Sequence, residues 1–200
     1  MAANPAPPER RPAVHDTVEA LVEETLSRVG RRIVLGTPLA LGKPNHLVNA
    51  FYRRAAEDPA IDLTIYTALS LAPPRWSSEL ERRLVEPMNE RLFGGYPELA
   101  WVDPVRRGEL PDNVHVREFY FSPGTLLGSP TAQRSYVASN YTHVVRDVLH
   151  AGLNVLAQAV SAEEVDGAPR YSLSCNSDLT VDLLPRLRER ERRGEPVAVL

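Results

Sequence analysis

The sequence predicts an α/β fold: an open, mostly parallel sheet flanked by helices. Short runs of β-branched residues alternate with helical patterns along most of the 200 residues, and such alternation is typical of parallel strands joined by crossover helices. The hydrophobic fraction of 43% and the charged fraction of 24% are those of a globular chain with a buried core. The length suits one domain of ordinary size.

Composition argues against several classes of partner. The net charge is -3 and basic residues are interspersed with acidic ones, so we expect no nucleic acid partner. No apolar run approaches the roughly 20 residues of a membrane helix, so we expect no membrane partner. Cys175 is the one cysteine. It excludes an internal disulfide and suits a reducing compartment, which predicts a cytoplasmic protein.

The two ends of the chain differ in character. Residues 1–13 contain four prolines among small and charged residues, which predicts a disordered lead ahead of a domain over residues 14–200. Asp16, with Glu19 three residues later, resembles a capping box for a first helix that ends at Gly30. The apolar run 196–200 resembles the start of another strand, so we expect the chain to be truncated at Leu200.

Periodicity predicts the remaining elements. The predicted strands are 32–35, 62–69, 113–121, 154–161 and 171–174, with an acidic loop between the last two. The predicted helices are 45–56, a charged helix from Ser78 to Gly94, a long helix over 130–150, and a last helix capped by Asp178. The charged helix carries a stripe of Leu80, Leu84, Met88 and Leu92, and Pro87 is expected to kink or split it.

The segment 36–45 is the most informative part of the sequence. It is a glycine-containing turn that leads from a strand into a helix, at the strand end where open α/β sheets bind ligands. Gly36 and Gly42 allow a close backbone approach, and Lys43 at a helix start suits a carboxylate or phosphate. Asn45 offers both a donor and an acceptor. A tight turn that binds no ligand remains the alternative.

This turn is not a phosphate loop of the nucleotide-hydrolase type. Five residues separate Gly36 from Gly42 where that loop has four, and Pro44 follows Lys43 where it has Ser or Thr. Pro44 fits the first position of the next helix. The dinucleotide-binding pattern G-x-G-x-x-G is also absent.

Three other groups of polar residues have simpler explanations. His143, Asp147 and His150 share one face of a predicted helix, opposite its apolar residues, which favours a solvated face over a metal site. Glu118 alternates with Phe119, so an ion pair or a solvated side chain is favoured over a nucleophile. Cys175 is interpreted as a buried structural cysteine.

Asn140, Ser174 and Asn176 lie in polar segments within otherwise apolar elements. Small polar residues after a strand line ligand sites, and they also cap helices. The sequence leaves both roles open for these three residues.

Six collinear segments carry a family resemblance over residues 17–200. They are LGTPLALGKPNHLVNAFYRRA, IYTALSL, ELERRLVEPMNERLFGGYPEL, VREFYF, AQRSYVASNYTHVVRDVLHAGLNVLAQ and YSLSCNSDLTVDLLP. Together they resemble the N-terminal half of the acetyl-CoA hydrolase / CoA-transferase family.

The resemblance implies a two-part enzyme of the CoA-transferase superfamily. Such proteins have two related α/β halves and move CoA between acyl groups and carboxylates, or release it to water. A glutamate attacks the acyl-CoA and forms an anhydride and then a glutamyl-CoA thioester. That glutamate and a glycine-rich CoA loop belong to the C-terminal half. The resemblance therefore implies no catalytic residue in this chain, and coenzyme A as a substrate rather than a permanently bound cofactor.

The resemblance also implies site residues and partners. Gly36, Gly42, Lys43, Pro44 and Asn45 would face the substrate cleft, with Asn140, Ser174 and Asn176 as weaker candidates. The expected partners are an acyl-CoA, a small carboxylate, and a C-terminal half or separate subunit, in a homo-oligomer when complete. We expect the isolated chain to self-associate through the surface that the other half covers.

Two alternatives remain open. The chain could be a non-catalytic CoA- or carboxylate-binding subunit that pairs with a separate catalytic chain. It could also be an isomerase in which Lys43 contacts a sugar phosphate.

Overall fold

The computed structural model describes residues 13–173 and 176–200. The expected disordered lead lies outside this range except for its last residue, and so do Ser174 and Cys175. Within the described residues, five parallel strands form one sheet in the order β3-β2-β1-β4-β7, and β5 and β6 form a separate hairpin. The strands are β1 (Arg32–Gly36), β2 (Asp62–Thr67), β3 (Val114–Glu118), β4 (Val155–Leu156), β5 (Ser161–Val165), β6 (Ala168–Ser172) and β7 (Ala198–Val199).

Helices cover both faces of the five-stranded sheet. They are α1 (Val18–Val29), α2 (Asn45–Glu57), α3 (Glu79–Phe93), α4 (Val102–Arg107), α5 (Pro130–Ser135), α6 (Val144–His150) and α7 (Thr180–Arg192). Ile33 and Leu35 of β1 pack in a core with residues of α1 and α2, whereas Val34 packs on the other face with residues of α6 and α7. This alternation confirms the predicted α/β fold with an open, parallel sheet.

The chain changes direction within the sheet between β3 and β4. From β1 it steps outward to β2 and then β3, and it returns to place β4 on the other side of β1. Leu35 and Gly36 of β1 lie beside Val155 and Leu156 of β4. The carboxyl ends of β1 and β4 therefore border the crevice at which open α/β sheets bind ligands.

The prediction of one long helix over 130–150 is wrong. The chain forms α5 and α6 with an extended segment between them, because the backbone there joins the end of β3. Tyr136 forms a parallel bridge with Glu118, and the Val137 amide donates to the Glu118 carbonyl at 2.8 Å. These backbone bonds replace the helical bonds that the sequence pattern alone favours.

The predicted acidic loop after β4 is instead a β-hairpin. β5 and β6 pair antiparallel across Asp166 and Gly167, which both have positive φ angles of 53° and 74°. An Asp-Gly pair in this conformation forms the type I′ turn that suits the twist of two-residue hairpins. Most residues of both strands are exposed. The predicted strand 154–161 correspondingly shrinks to the two residues of β4.

Two predicted helix features also differ. Thr17, not Asp16, is the N-cap of α1, since its hydroxyl accepts from the Ala20 amide at 3.2 Å. Pro87 does not split α3, which is a single helix of 15 residues. A complete capping box between Ser78 and Glu81 begins α3.

Over the described ranges 13–173 and 176–200, no helix has the length and apolarity that crossing a membrane requires.

Candidate functional site

The turn after β1 packs tightly over the crevice between β1 and β4. A Cβ atom on Gly36 would come 2.7 Å from Leu153 Cδ1, and one on Gly42 would come 2.8 Å from Pro38 Cβ and 3.3 Å from the Asn176 carbonyl oxygen. At Gly36 the neighbour is the end of a leucine side chain, which can shift, whereas at Gly42 it is a proline ring and a backbone carbonyl. The packing of the turn therefore requires a glycine most strongly at position 42.

The start of α7 holds this turn in place. Asp178 Oδ2 accepts from the Leu39 amide at 2.6 Å, and Asn176 Nδ2 donates to the Leu39 carbonyl at 2.9 Å. On the β4 side, the Ala159 amide donates to the Gly42 carbonyl at 2.9 Å. The fold thereby brings Asn176 beside Gly42, so these two candidate site residues lie together.

The role predicted for Asp178 is wrong. Leu179 occupies the N-cap of α7 without a side-chain cap bond, whereas the Asp178 carboxylate reaches back to the turn after β1. Asp178 also has a positive φ of 40°. Sequence reasoning assigned it a local cap because its true partner, Leu39, is 139 residues away.

Lys43 is buried at the carboxyl edge of the sheet with only 4% of its surface exposed. Its Nζ donates to the carbonyls of Ala68 at 2.6 Å and Leu69 at 3.3 Å. Burial lowers the pKa of Lys43 to about 7, although the charges of Glu118 and Asp178 oppose this shift. The two hydrogen bonds connect the Lys43 amine to the segment that follows β2.

Of the two roles expected for Glu118, an ion pair or a solvated side chain, its burial excludes the second, whereas the charge of Lys43 lies close enough to affect its pKa. Glu118 lies on the same face of β3 as Val114 and Val116, is 3% exposed, and accepts from the Ser70 amide at 3.1 Å through Oε2. Burial raises the pKa of Glu118, while the bond from Ser70 and the Lys43 charge lower it. A cavity of about 20 Å³ beside Glu118 has room for one water.

The backbone around these charges is strained. Ala40 and Leu69, like Asp178, adopt the left-handed conformation, with φ angles of 50° and 46°. The Ala40 amide donates to the carbonyl of Ala68, the residue before Leu69, at 3.4 Å. Such non-glycine conformations cost about 1–3 kcal/mol each and cluster at functional sites. Their concentration at this edge supports a functional role for it.

An open cleft of about 390 Å³ lies on the outer side of the turn. Pro44 is the N-cap of α2, one position before the predicted one, and Asn45 Nδ2 donates to the Pro97 carbonyl at 2.7 Å. Asn45 thus fixes the opposite wall, which Tyr96 and Pro97 form. The cleft is lined by Val18, Leu41, Lys43, Pro44, Asn45, His46, Leu47, Tyr96 and Pro97.

Asn140 stabilises the turn before α6. Its Oδ1 accepts from the amide and the hydroxyl of Thr142 at 3.0 and 2.6 Å. The next residue, Tyr141, packs edge-on against Phe119. Burial raises the pKa of Tyr141 to about 12, and its neighbour Asp178 adds to the shift. The interaction of Tyr141 with Asp178 was not expected from the sequence, because that segment was assigned to a helix.

The histidine face of α6 does not gather metal ligands. Within residues 13–173 and 176–200 there is no group of three or more His, Cys, Asp or Glu side chains that could hold a metal ion. Asp147 instead accepts from Ser139 Oγ at 2.6 Å and pairs with Arg146.

No protein-family model and no curated protein matches this chain. Among solved structures, the chain is similar to one described as a mutant of RipA, with a TM-score of 0.42 and 16% identity. The alignment covers 78% of this chain, which spans only 30% of the length of that one. A likeness this weak carries no argument about function.

Proposed function

We propose that this chain forms one wall of the acyl and carboxylate site of an acetyl-CoA hydrolase or acyl-CoA:carboxylate CoA-transferase. The observation that supports this function is the position of the turn 36–45. It covers the carboxyl ends of β1 and β4, where the strand order reverses, and open α/β sheets bind small ligands at that point. The same segment is part of the family resemblance.

The chemistry would be divided between this chain and a second half. The buried side chains of Lys43 and Glu118 already bond to the backbone of residues 68–70. Their contribution is a rigid and partly water-excluding wall, because fixed groups orient a bound carboxylate without reorganising. The nucleophilic glutamate that forms the glutamyl-CoA thioester would come from the C-terminal half or a separate subunit.

The test is thioester turnover by the natural polypeptide or complex that contains this chain. Acetyl-CoA is supplied with and without succinate, and free thiol and succinyl-CoA are measured. Gly42→Ala should lower turnover by about tenfold or more, because the new methyl group pushes on Pro38 and Asn176 and moves the turn. Gly128→Ala is the matched control, since a Cβ there meets nothing within 4 Å.

Three results would change this proposal. Absence of turnover in the complete protein overturns it. Stabilisation by CoA or acetate without turnover points to a non-catalytic binding subunit. Turnover by the 200-residue chain alone that Glu118→Gln abolishes, with the fold intact by circular dichroism, would place the nucleophile inside this chain.

A further inference from the structure

Helix α3 presents an apolar stripe to solvent. Leu80, Leu84, Met88 and Leu92 recur every fourth residue and are 77%, 74%, 40% and 66% exposed. At about 100° per residue these four side chains cover about 120° of the helix surface. No residue of α3 is buried. A continuous stripe of this kind marks an interaction surface more often than isolated exposed leucines do.

The apolar stripe lies on the side of α3 that faces away from the contacts of this helix with its own chain. The less exposed residues are Arg82, Val85, Glu86, Asn89 and Phe93, and they centre about 130° away from the stripe. Asn89 Nδ2 donates to the Pro74 carbonyl at 2.8 Å, and Phe93 packs edge-on against Tyr96. The helix is thus attached to its own chain by the side that faces away from the leucines.

The stripe is symmetric about its middle. Leu80 and Leu92 lie six residues to either side of position 86, and Leu84 and Met88 lie two residues to either side. One charge at each end matches across the same midpoint. Glu81 and Arg91 both lie five residues from position 86 on the side of the stripe, whereas Glu79 is paired with Arg82 in its own helix.

We propose that α3 is a docking surface for a second copy of this chain, with the two α3 helices antiparallel. In that arrangement Leu80 of each copy lies level with Leu92 of the other, and Leu84 with Met88. Glu81 of one copy then lies level with Arg91 of the other, and the helix dipoles also oppose. Rows of residues four apart pack helices at about -50°, so the central pair makes the closest contact.

Charge complementarity favours the antiparallel pair over a parallel one. A parallel pair would place Glu81 beside its own copy and Arg91 beside its own copy, and like charges in register are unfavourable. A single helix pair buries less than the 1,200–2,000 Å² of a standard stable interface. We therefore expect a reversible dimer in the micromolar range. This inference does not depend on the proposed enzymatic function.

The first test is sedimentation equilibrium of the purified protein from about 1 to 100 µM, a range that brackets micromolar affinity. The expected result is a monomer–dimer equilibrium that Leu84→Glu weakens at least tenfold. Val181→Glu is the matched control, because Val181 is 53% exposed on α7, and it should leave dimerisation unchanged. A monomer throughout, or a dimer unaffected by Leu84→Glu, overturns the proposal.

The second test fixes the direction of the helices. Leu84→Cys and Met88→Cys are prepared separately in a Cys175→Ser background, which removes the one native cysteine. Under mild oxidation, the mixture should form a disulfide-linked dimer several times faster than either variant alone, since antiparallel packing brings position 84 to position 88. Faster linkage of each variant to itself overturns the antiparallel arrangement.

Discussion

Helices α2 and α3 have apolar stripes of similar helical spacing but opposite environments. Leu47, Val48, Phe51 and Ala55 of α2 are all buried against the sheet, whereas the stripe of α3 faces solvent. The hydrogen bonding at the N-termini of the two helices shows the reverse contrast. α2 begins at Pro44 without a side-chain cap, and α3 begins with a complete capping box. Tertiary burial stabilises α2, whereas local capping and ion pairs stabilise α3.

Truncating one apolar side chain in each helix should give the largest contrast. Phe51→Ala is expected to lower the free energy of unfolding by about 3–5 kcal/mol, because it leaves a cavity beside the sheet. Leu92→Ala, at a concentration where α3 is unpaired, should change it by less than about 0.5 kcal/mol. Urea unfolding measures both. Similar losses would mean that α3 packs on its own chain.

The buried start of α2 should make stability depend on pH. Lys43 has a pKa of about 7 in the folded protein, against an ordinary value of 10.5 for a lysine. Between these values the unfolded chain binds more protons, so the free energy of unfolding should rise with pH, at most by about 1.4 kcal/mol per pH unit. The raised pKa of Glu118 acts oppositely: it lowers stability as pH increases from about 4.5.

Lys43→Met tests this effect. The variant should lose the rise in melting temperature between pH 7 and 10, and its Glu118-dependent fall at lower pH should become larger, because the Lys43 charge no longer lowers the pKa of Glu118. Glu118→Gln should lose the fall and keep the rise, which should begin at lower pH because the Glu118 charge no longer raises the pKa of Lys43. An unchanged profile in Lys43→Met would show that another group controls stability in the alkaline range.

The side-chain hydrogen bonds of one asparagine in α2 and one in α3 should differ in their contribution to stability. Asn49 of α2 is buried, donates to the Glu98 carbonyl and accepts from the Ala100 amide, both at 2.8 Å. Asn49→Ala should cost about 2 kcal/mol, because both backbone groups lose their partner. Asn89→Ala in α3 removes one bond to Pro74 and should cost less than half as much. Thermal unfolding of the two variants provides the comparison.

The smallest expected effect is at the cap of α3. Ser78→Ala removes the hydroxyl that accepts from the Glu81 amide at 3.2 Å, and caps of this type contribute about 1 kcal/mol. Because α3 is peripheral, the loss should appear as faster hydrogen exchange of its amides, with little change in global unfolding. Ser161→Ala, at an exposed strand position, should leave that exchange unchanged.

Local patterns predicted those parts of the fold that local interactions determine. β1, α2 and the long charged helix lie where periodicity and capping residues place them. The turn 36–45 lies at the strand end where a glycine-containing strand-to-helix connection was expected to lie. Each of these features depends on residues within one or two turns of the chain, which the sequence displays directly.

The features that the sequence analysis did not predict depend on partners that are distant along the chain. The helix predicted over 130–150 is interrupted because the Val137 amide bonds to the Glu118 carbonyl. Asp178 does not cap α7 because its carboxylate accepts a hydrogen bond from the Leu39 amide. The burial of Lys43 depends on Ala68 and Leu69. One signal was present, since Lys43 is the only lysine in a chain with 23 basic residues. A buried lysine can lose its proton and become neutral, whereas an arginine stays charged, so a lysine suits this buried position better.

The exposed hairpin of β5 and β6 has a practical consequence. Its tip, Asp166–Gly167, stands clear of both cores, and most of its side chains contact solvent. Loop tips of this kind accept foreign segments at little thermodynamic cost. We expect that an epitope tag or a fluorescent reporter spliced between these two residues would leave the sheet unchanged. It would provide a label at a site that belongs neither to α3 nor to the turn after β1.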